Sequence, residues 1–240
     1  MNKYAPAVVT EQEILRFADS VDANLNALEK KRSLIFNRDQ ESLYIERYSM
    51  NGKPVVYKSY TENAGLNSSA GTYYFNNDSL ILVKESNKSI RQNGDLFVDT
   101  RSYLRNNIVF KKDVRSASSH ADLVSKQYQT LKQATSNKED LPAKISTFDD
   151  AVEGKNEFEL VFDNLISSGD EKYIRLKSSM PNGYSASLVV KQDDSFIDSL
   201  LKDPLLFKSK KLDLKWEIKD KEAVYVPVAA KATSARGLNK

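Results

Sequence analysis

Residues 71–86 read GTYYFNNDSLILVKES, two runs of aromatic and branched residues on either side of an Asn-Asn-Asp turn. Asn and Asp tolerate the positive φ angles that a tight hairpin turn needs, so the stretch predicts two antiparallel strands. Outward from it, residues 41–112 hold further segments of the same kind, with turn residues at Asn51-Gly52 and at Asn106-Asn107. We therefore predict a meander of about six strands.

Two helices are predicted to flank the meander. Thr10 and Glu13 form a capping-box pattern, and apolar residues then recur at helical spacing, which predicts a helix over roughly residues 11–31. Ser119 begins a second capping pattern, followed by apolar residues on one helical face as far as Leu131. We expect this second helix to complete the first domain.

A domain boundary is predicted near residue 143. Residues 133–144 (QATSNKEDLPAK) are polar, contain a proline and lack periodicity, which is typical of a linker. A chain of 240 residues also fits two domains of ordinary size. We predict domains at 1–143 and 144–228, followed by a disordered tail at 229–240.

The second half has the predicted order of three strands, a helix and two strands. In residues 211–219 (KLDLKWEIK), apolar and charged residues alternate as in a strand with one buried face. Asp193 or Asp194 is placed to cap the helix. This order resembles the five-stranded OB barrel, which has a helix between its third and fourth strands. The predicted fold class is α+β, mainly β: an antiparallel meander sheet packed with N-terminal and central helices, followed by a five-stranded OB-like barrel.

Composition excludes several classes of function. The 36 basic and 33 acidic residues give a net charge of +3, a small surplus with no strongly basic field, so the net charge indicates no particular partner. The chain has no cysteine, which excludes disulfides, thiolate zinc sites and cysteine nucleophiles. No apolar run approaches the roughly 18–20 residues of a membrane-spanning helix. No phosphate-binding or hydrolase motif occurs.

Two clusters of polar residues could carry chemistry, but each has a simpler interpretation. His120 is the only histidine, and its neighbours Ser119 and Asp122 are placed to cap a helix. The carboxylates of residues 149, 150, 153 and 157 are interpreted as a solvated acidic turn before a strand, because no calcium-loop pattern surrounds them. We therefore predict no catalytic residue, no cofactor, no metal site and no enzymatic activity.

Aromatic residues supply the candidate binding sites. Tyr73 and Tyr74 are adjacent, so a strand directs them to opposite faces, and we expect one of them to be exposed or at an interface. Seven tyrosines of the meander could form a recognition face for protein or glycan: Tyr44, Tyr48, Tyr57, Tyr60, Tyr73, Tyr74 and Tyr103. In the second half, Tyr173, Arg175, Lys177 and Tyr184 are the candidates for contacting single-stranded nucleic acid. Nearby carboxylates, including Glu171 and Asp193, disfavour that ligand because they repel phosphates.

The capped helix and the tyrosine-rich phrase GTYYFNNDSLILVKES resemble the small exported proteins and lipoproteins of unknown function found in Gram-negative bacteria. The resemblance implies the periplasm, outer membrane or cell surface, with any membrane attachment through a lipidated cysteine that this sequence does not contain. We therefore expect a non-enzymatic binding or assembly module with a protein or glycan partner in the cell envelope. The alternatives are a cytoplasmic protein that binds single-stranded nucleic acid through the OB-like domain, and an immunity or inhibitor protein.

Overall fold

The structure, a computed structural model, describes residues 10–132, 140–169 and 171–227. The chain is β-rich and divides into two compact units, Met1–Lys155 and Asn156–Lys240. The sequence places the boundary near residue 143, a position that lies inside a helix of the first unit. The predicted tail, 229–240, lies outside the described residues.

In the described residues, the first unit contains three α-helices and an antiparallel meander. Strands β3 to β8 each pair with the next strand along the chain, β1 and β2 both pair with β3, and β9 pairs with β8. The elements are α1 (Glu11–Ala23), β1 (Glu29–Arg32), β2 (Phe36–Arg38), β3 (Glu41–Met50), β4 (Lys53–Asn63), β5 (Asn67–Asn76), β6 (Ser79–Arg91), β7 (Gly94–Arg105), β8 (Ile108–Ala117), α2 (His120–Ser125), β9 (Gln129–Thr130) and α3 (Leu141–Glu153).

The predicted meander is confirmed, and its turns have the expected chemistry. Asn51, Asn77 and Asn106 all have positive φ angles, between 49° and 52°. Asn adopts this conformation more readily than most residues, because its short polar side chain can bond locally. The turns therefore set the register that places alternate side chains of each strand on opposite faces of the sheet.

A helix covers part of each face of this sheet. On one face, Ile14 and Ala18 of α1 pack on a buried cluster from the central strands: Tyr48, Val56, Tyr74, Leu82 and Tyr103. On the other face, Phe148 of α3 contacts the rings of Tyr57 and Tyr73. Burial of these aromatic side chains is the main source of stability in the unit.

The helix predicted over 11–31 ends earlier, at Ala23. Asn24 terminates it by donating its side-chain amide to the carbonyl of Ser20 at 2.8 Å. The chain then extends as β1, whose residues Glu29–Arg32 pair with β3. In β1, the backbone N–H and C=O groups bond to the open edge of β3, as they would otherwise bond within a longer helix. The sequence pattern of this segment does not reveal that such an edge is available.

The second predicted helix is also shorter than expected. Ser119 caps α2 as predicted, with its hydroxyl accepting the N–H of Asp122 at 3.1 Å. The helix ends at Ser125, and Gln129–Thr130 forms β9 on β8 instead of a further helical turn. The hydroxyl of Thr130 donates to Asp113 of β8 at 2.7 Å, which fixes this return of the chain.

Helix α3 occupies residues that the sequence analysis assigned to a linker and an acidic turn. Asp140 caps it by accepting the N–H of Ala143 at 3.1 Å, and Pro142 lies in its first turn. Gly154 ends it in the left-handed conformation at φ 60°. The acidic-turn interpretation is therefore wrong, since residues 149, 150 and 153 lie on this helix.

The second unit consists of a small sheet with two helices. Its elements are β10 (Leu160–Ser168), β11 (Glu171–Ser178), β12 (Ser185–Val190), α4 (Ser195–Lys202), α5 (Pro204–Phe207), β13 (Trp216–Lys219) and β14 (Glu222–Tyr225). The strands lie in the order β10, β11, β12, β14, β13, with β12 and β14 parallel. Asp194 caps α4, as predicted. Among the described residues this sheet is not closed, so the predicted barrel is not confirmed.

The predicted strand at residues 211–219 is shorter in the structure, where β13 begins at Trp216. In the described parts of the chain, no helix has the length and apolar composition needed to cross a membrane.

Candidate functional site

Tyr73 and Tyr74 are both buried, at 1% and 2% exposure, so the expectation that one of them is exposed is wrong. They do point to opposite faces, but a helix covers each face. Tyr73 makes an edge contact with Phe148 of α3 at 5.1 Å between ring centroids. Tyr74 donates its hydroxyl to Asp22 of α1 at 2.8 Å. Both side chains hold helices on the sheet and present no surface for a ligand.

The candidates of the second unit are not brought together. Tyr173 and Arg175 share one side of β11, and the hydroxyl of Tyr173 donates to Glu171. Tyr184 is buried instead and stacks on Phe158, with ring centroids 4.5 Å apart. Lys177 lies on the same side of β11, so these three candidates share one strand face and Tyr184 lies apart from them.

The acidic residues of α3 attach that helix to the sheet. The guanidinium of Arg47, on β3, donates to Asp149 at 2.8 Å and to Glu153 at 2.5 Å. These contacts hold the pKa of Glu153 below its usual value. Within the described residues, no group of three His, Cys, Asp or Glu side chains is arranged to hold a metal ion. His120 lies at the start of α2 with its ring against Phe97.

A different pair of tyrosines forms a partly exposed aromatic surface. Tyr44 and Tyr60 are cross-strand partners on β3 and β4, with ring centroids 5.8 Å apart and planes inclined by 26°. They lie on the same face as Tyr48, but neither ring belongs to the cluster on which α1 packs. Tyr60 is 42% exposed, and Tyr44 lies half-buried beside it. We call these two residues the tyrosine pair.

The buried carboxylate of Glu46 holds Tyr44, one member of the tyrosine pair, in place. It accepts the hydroxyl of Tyr44 at 2.9 Å and that of Tyr48 at 2.8 Å, and it pairs with Lys30 at 2.5 Å. Burial opposes the charge of this carboxylate, but the hydrogen bonds from Lys30 and the two phenols outweigh burial and keep the pKa of Glu46 below its usual value. Glu46 is therefore charged at neutral pH.

The same contacts keep the phenols neutral. Burial, together with the nearby charge of Glu46, raises the pKa of Tyr44 far above its ordinary value. Burial likewise raises the pKa of Tyr60. Both rings thus remain uncharged, and Tyr44 is restricted to one orientation. Arg32 and Lys58 lie directly opposite Glu46 on the two neighbouring strands, and the guanidinium of Arg32 lies 3.7 Å from its carboxylate.

An open polar cavity adjoins the tyrosine pair. Its volume is about 300 Å³, and it lies where the β2–β3 and β4–β5 turns meet. Ser42 and Glu62, which are cross-strand partners two residues from the tyrosine pair, line it on the same face of the sheet. The other lining residues are Asn37, Asp39, Gln40, Glu41, Ala64 and Gly65.

Sequence reasoning named Tyr44 and Tyr60 among seven tyrosines but did not separate them from the buried ones, and it missed the cavity. Parity along the strand could not separate them, because Tyr44 lies on the same face of β3 as the buried Tyr48. Comparison with known proteins found no matching family model, no matching curated protein and no matching solved structure. The chemistry of the site is therefore argued from its own residues.

Proposed function

We propose that the protein is a non-enzymatic binding or assembly module of the cell envelope that holds a protein or glycan partner on the surface around the tyrosine pair. The supporting observation is the arrangement of Tyr44 and Tyr60 as a stacked, partly exposed pair, in which a buried carboxylate fixes the ring of Tyr44. Partly exposed tyrosines suit recognition because they offer a large apolar area and a polar tip with little loss of conformational entropy.

The role of Glu46 supports binding as the purpose of this surface. Burying a charged carboxylate is unfavourable, and Glu46 needs several bonded partners to offset that cost. Using it to fix one tyrosine ring is therefore energetically costly. A fixed ring, however, needs no ordering when a ligand arrives, and preorganisation of this kind strengthens binding. Lys58, two residues from Tyr60 on the same face of β4, adds a cation next to this surface.

Photo-crosslinking tests the binding proposal. A benzophenone amino acid is placed at position 60, or as a matched control at position 108, whose isoleucine is 71% exposed on β8. Irradiation of the cells that make the protein is expected to give one defined adduct from position 60 and none from position 108. Equal labelling from both positions, or no adduct from position 60, would contradict the proposal.

The envelope location rests on the resemblance to exported proteins and has its own test. Cell fractionation with an epitope tag is expected to recover the protein from the periplasm or with membranes. Recovery in the cytosol alone would contradict the location while leaving the binding surface in place. Metabolic labelling with a fatty-acid analogue would separate a lipid anchor from a soluble periplasmic form.

We also propose an OB-like arrangement for the second unit. Helix α4 lies between the third and fourth strands, and the chain ahead of β13 approaches β10. There the N–H of Phe162 donates to the carbonyl of Lys210 at 2.8 Å, and the N–H of Ser209 donates to Phe162 at 2.9 Å. OB folds are partly open, so an unclosed sheet is compatible with this arrangement. Solution NMR would test it by contacts between β10 and residues 209–215; their absence would count against it.

A further inference from the structure

We propose that the ligand of the tyrosine pair is an uncharged carbohydrate, with one sugar ring stacked on Tyr60 and its hydroxyl groups directed into the adjoining cavity. This assignment rests on the binding function proposed above and gives it a chemical class. It follows from three properties of the surface: its spacing, its hydrogen-bonding groups and its charges.

The spacing places an apolar and a polar contact side by side. The pair of Ser42 and Glu62 lies two residues along β3 and β4 from the tyrosine pair, on the same face. At a rise of about 3.4 Å per residue, the two pairs are about 7 Å apart. A single pyranose has both kinds of surface at that scale, since its C–H face packs on an aromatic ring while its hydroxyls extend from the edge.

The cavity lining matches hydroxyl groups. Hydroxyls both donate and accept hydrogen bonds, and the amide of Gln40 can do the same. The carboxylates of Asp39 and Glu62 add acceptors, which bind hydroxyl donors more strongly than neutral groups do. The lining thus offers partners for both hydrogen-bonding roles of a sugar hydroxyl.

The charges on the two parts of the surface favour a neutral ligand. The cavity is lined by carboxylates, Asp39, Glu41 and Glu62, and by no Lys or Arg, so it repels phosphorylated or carboxylated ligands. On the other side of the tyrosine pair lies Lys58, two residues from Tyr60 on the same face of β4, and its charge opposes a lysine or arginine side chain of a basic peptide. A ligand that spans both parts avoids these penalties when it carries no charge.

The binding experiment uses the full chain and a panel of neutral oligosaccharides with gluco, galacto and manno configurations, measured by isothermal titration calorimetry. We expect at least one neutral oligosaccharide to bind. Tyr60→Ala should weaken binding about tenfold through loss of the stacking surface. Glu62→Gln should weaken it by a smaller factor, because the amide remains an acceptor. Tyr60→Phe retains the ring and should bind like the unchanged protein.

The controls make each outcome informative. Ile108→Ala, far along the chain on β8, should leave affinity unchanged, and equal unfolding midpoints would show that Tyr60→Ala still folds. Binding of only acidic oligosaccharides or basic peptides would overturn the assignment of a neutral sugar. No sugar binding, together with a protein adduct from position 60, would overturn the carbohydrate but keep the binding surface. No sugar binding and no adduct would overturn both proposals.

Discussion

Tyr73 and Tyr74 are consecutive residues of one strand, yet each is buried under a different helix. The ring of Tyr73 contacts Phe148 of α3, whereas the hydroxyl of Tyr74 donates to Asp22 of α1. Strand alternation sends neighbouring side chains to opposite faces, so this dipeptide ties both helices to the same point of the sheet. It follows that the two faces can be tested separately by changing one tyrosine at a time.

The bond between Tyr74 and Asp22 should stabilise the first unit. Tyr74→Phe removes the hydroxyl but retains the ring, leaving the carboxylate of Asp22, which is partly exposed, to water. We expect the free energy of unfolding to fall by about 1–2 kcal/mol, as for a hydrogen bond to a charged group. Urea unfolding would measure it. Asp22→Asn in the same background should add little further loss, and fully additive effects would show that the bond contributes nothing.

The sequence was informative wherever local chemistry decides the structure. The meander turns use Asn at positive φ, and the caps at Thr10, Ser119 and Asp194 all form as their spacing predicts. The ends of the helices were not predictable in the same way. Residues 29–32 leave the helical pattern because the edge of β3 is open to pairing, which depends on contacts distant in sequence.

Helix α3 shows why a polar segment can be misinterpreted. Its outer residues are polar, and its buried contacts are few, with Phe148 and Ala151 at the centre. From the sequence alone, its acidic side chains would be taken as solvent-exposed, because their partner, Arg47, is about a hundred residues away along the chain. The burial of Tyr73 escaped prediction for the same reason, since the helix that covers it was not foreseen. The cavity forms where the β2–β3 and β4–β5 turns lie next to each other, and no local sequence pattern predicts that proximity.

The contact between Arg47 and α3 predicts that a largely buried ion pair contributes more to the free energy of unfolding than an exposed one. The Arg47 side chain is only 14% exposed and bridges Asp149 and Glu153, which lie one helical turn apart. Arg47→Met should lower the free energy of unfolding by about 1–3 kcal/mol, because it removes two charge-assisted bonds and leaves two carboxylates in mutual repulsion.

The matched control is Lys53→Met, which breaks the pair with Asp78, where both side chains are mostly exposed. That change should cost less than about 0.5 kcal/mol. Both values come from urea unfolding at neutral pH. Losses of similar size would show that the Arg47 contacts are no stronger than a surface ion pair.

The turn between β4 and β5 contains a residue, Ala64, whose substitution should stabilise the protein. Ala64 and Gly65 have φ angles of 43° and 73°, and the N–H of Leu66 donates to the carbonyl of Asn63 at 2.8 Å. Two positive φ angles are typical of a type I′ turn, in which Asn-Gly is strongly favoured over Ala-Gly. Ala64→Asn should therefore raise the free energy of unfolding by about 0.5–1 kcal/mol.

Gly65→Ala is the opposite change in the same turn. An added Cβ at Gly65 would meet no atom within 4 Å, so only the backbone conformation opposes it. We expect a loss of about 1 kcal/mol. Thermal unfolding of the two variants would measure the shifts, and movement of both in the same direction would contradict the assignment of the turn.

The Glu46 network predicts a loss of stability in acid. Because the pKa of Glu46 in the folded protein lies below its ordinary value of 4.5, its contribution is complete above pH 4.5 and is lost as the pH falls towards the folded value. Glu46→Gln should therefore lower stability at pH 7 and reduce the dependence of stability on pH below 4.5. Urea unfolding between pH 3 and pH 7 tests this, with Glu62→Gln as a control for charge. An unchanged slope would contradict it.

The buried phenols predict the opposite limit, a loss of stability in alkali. Burial raises the pKa of Tyr73 to about 12 and those of Tyr57 and Tyr74 higher still, from an ordinary value of 10. A raised pKa means that the contribution of each phenol is complete below pH 10 and is lost as the pH rises, since the unfolded chain ionises first. Tyrosinate absorbance near 295 nm should therefore increase together with the loss of circular dichroism. If the phenols instead ionised near pH 10 while the circular dichroism stayed unchanged, they would be open to solvent and the two helices would not cover the sheet as described.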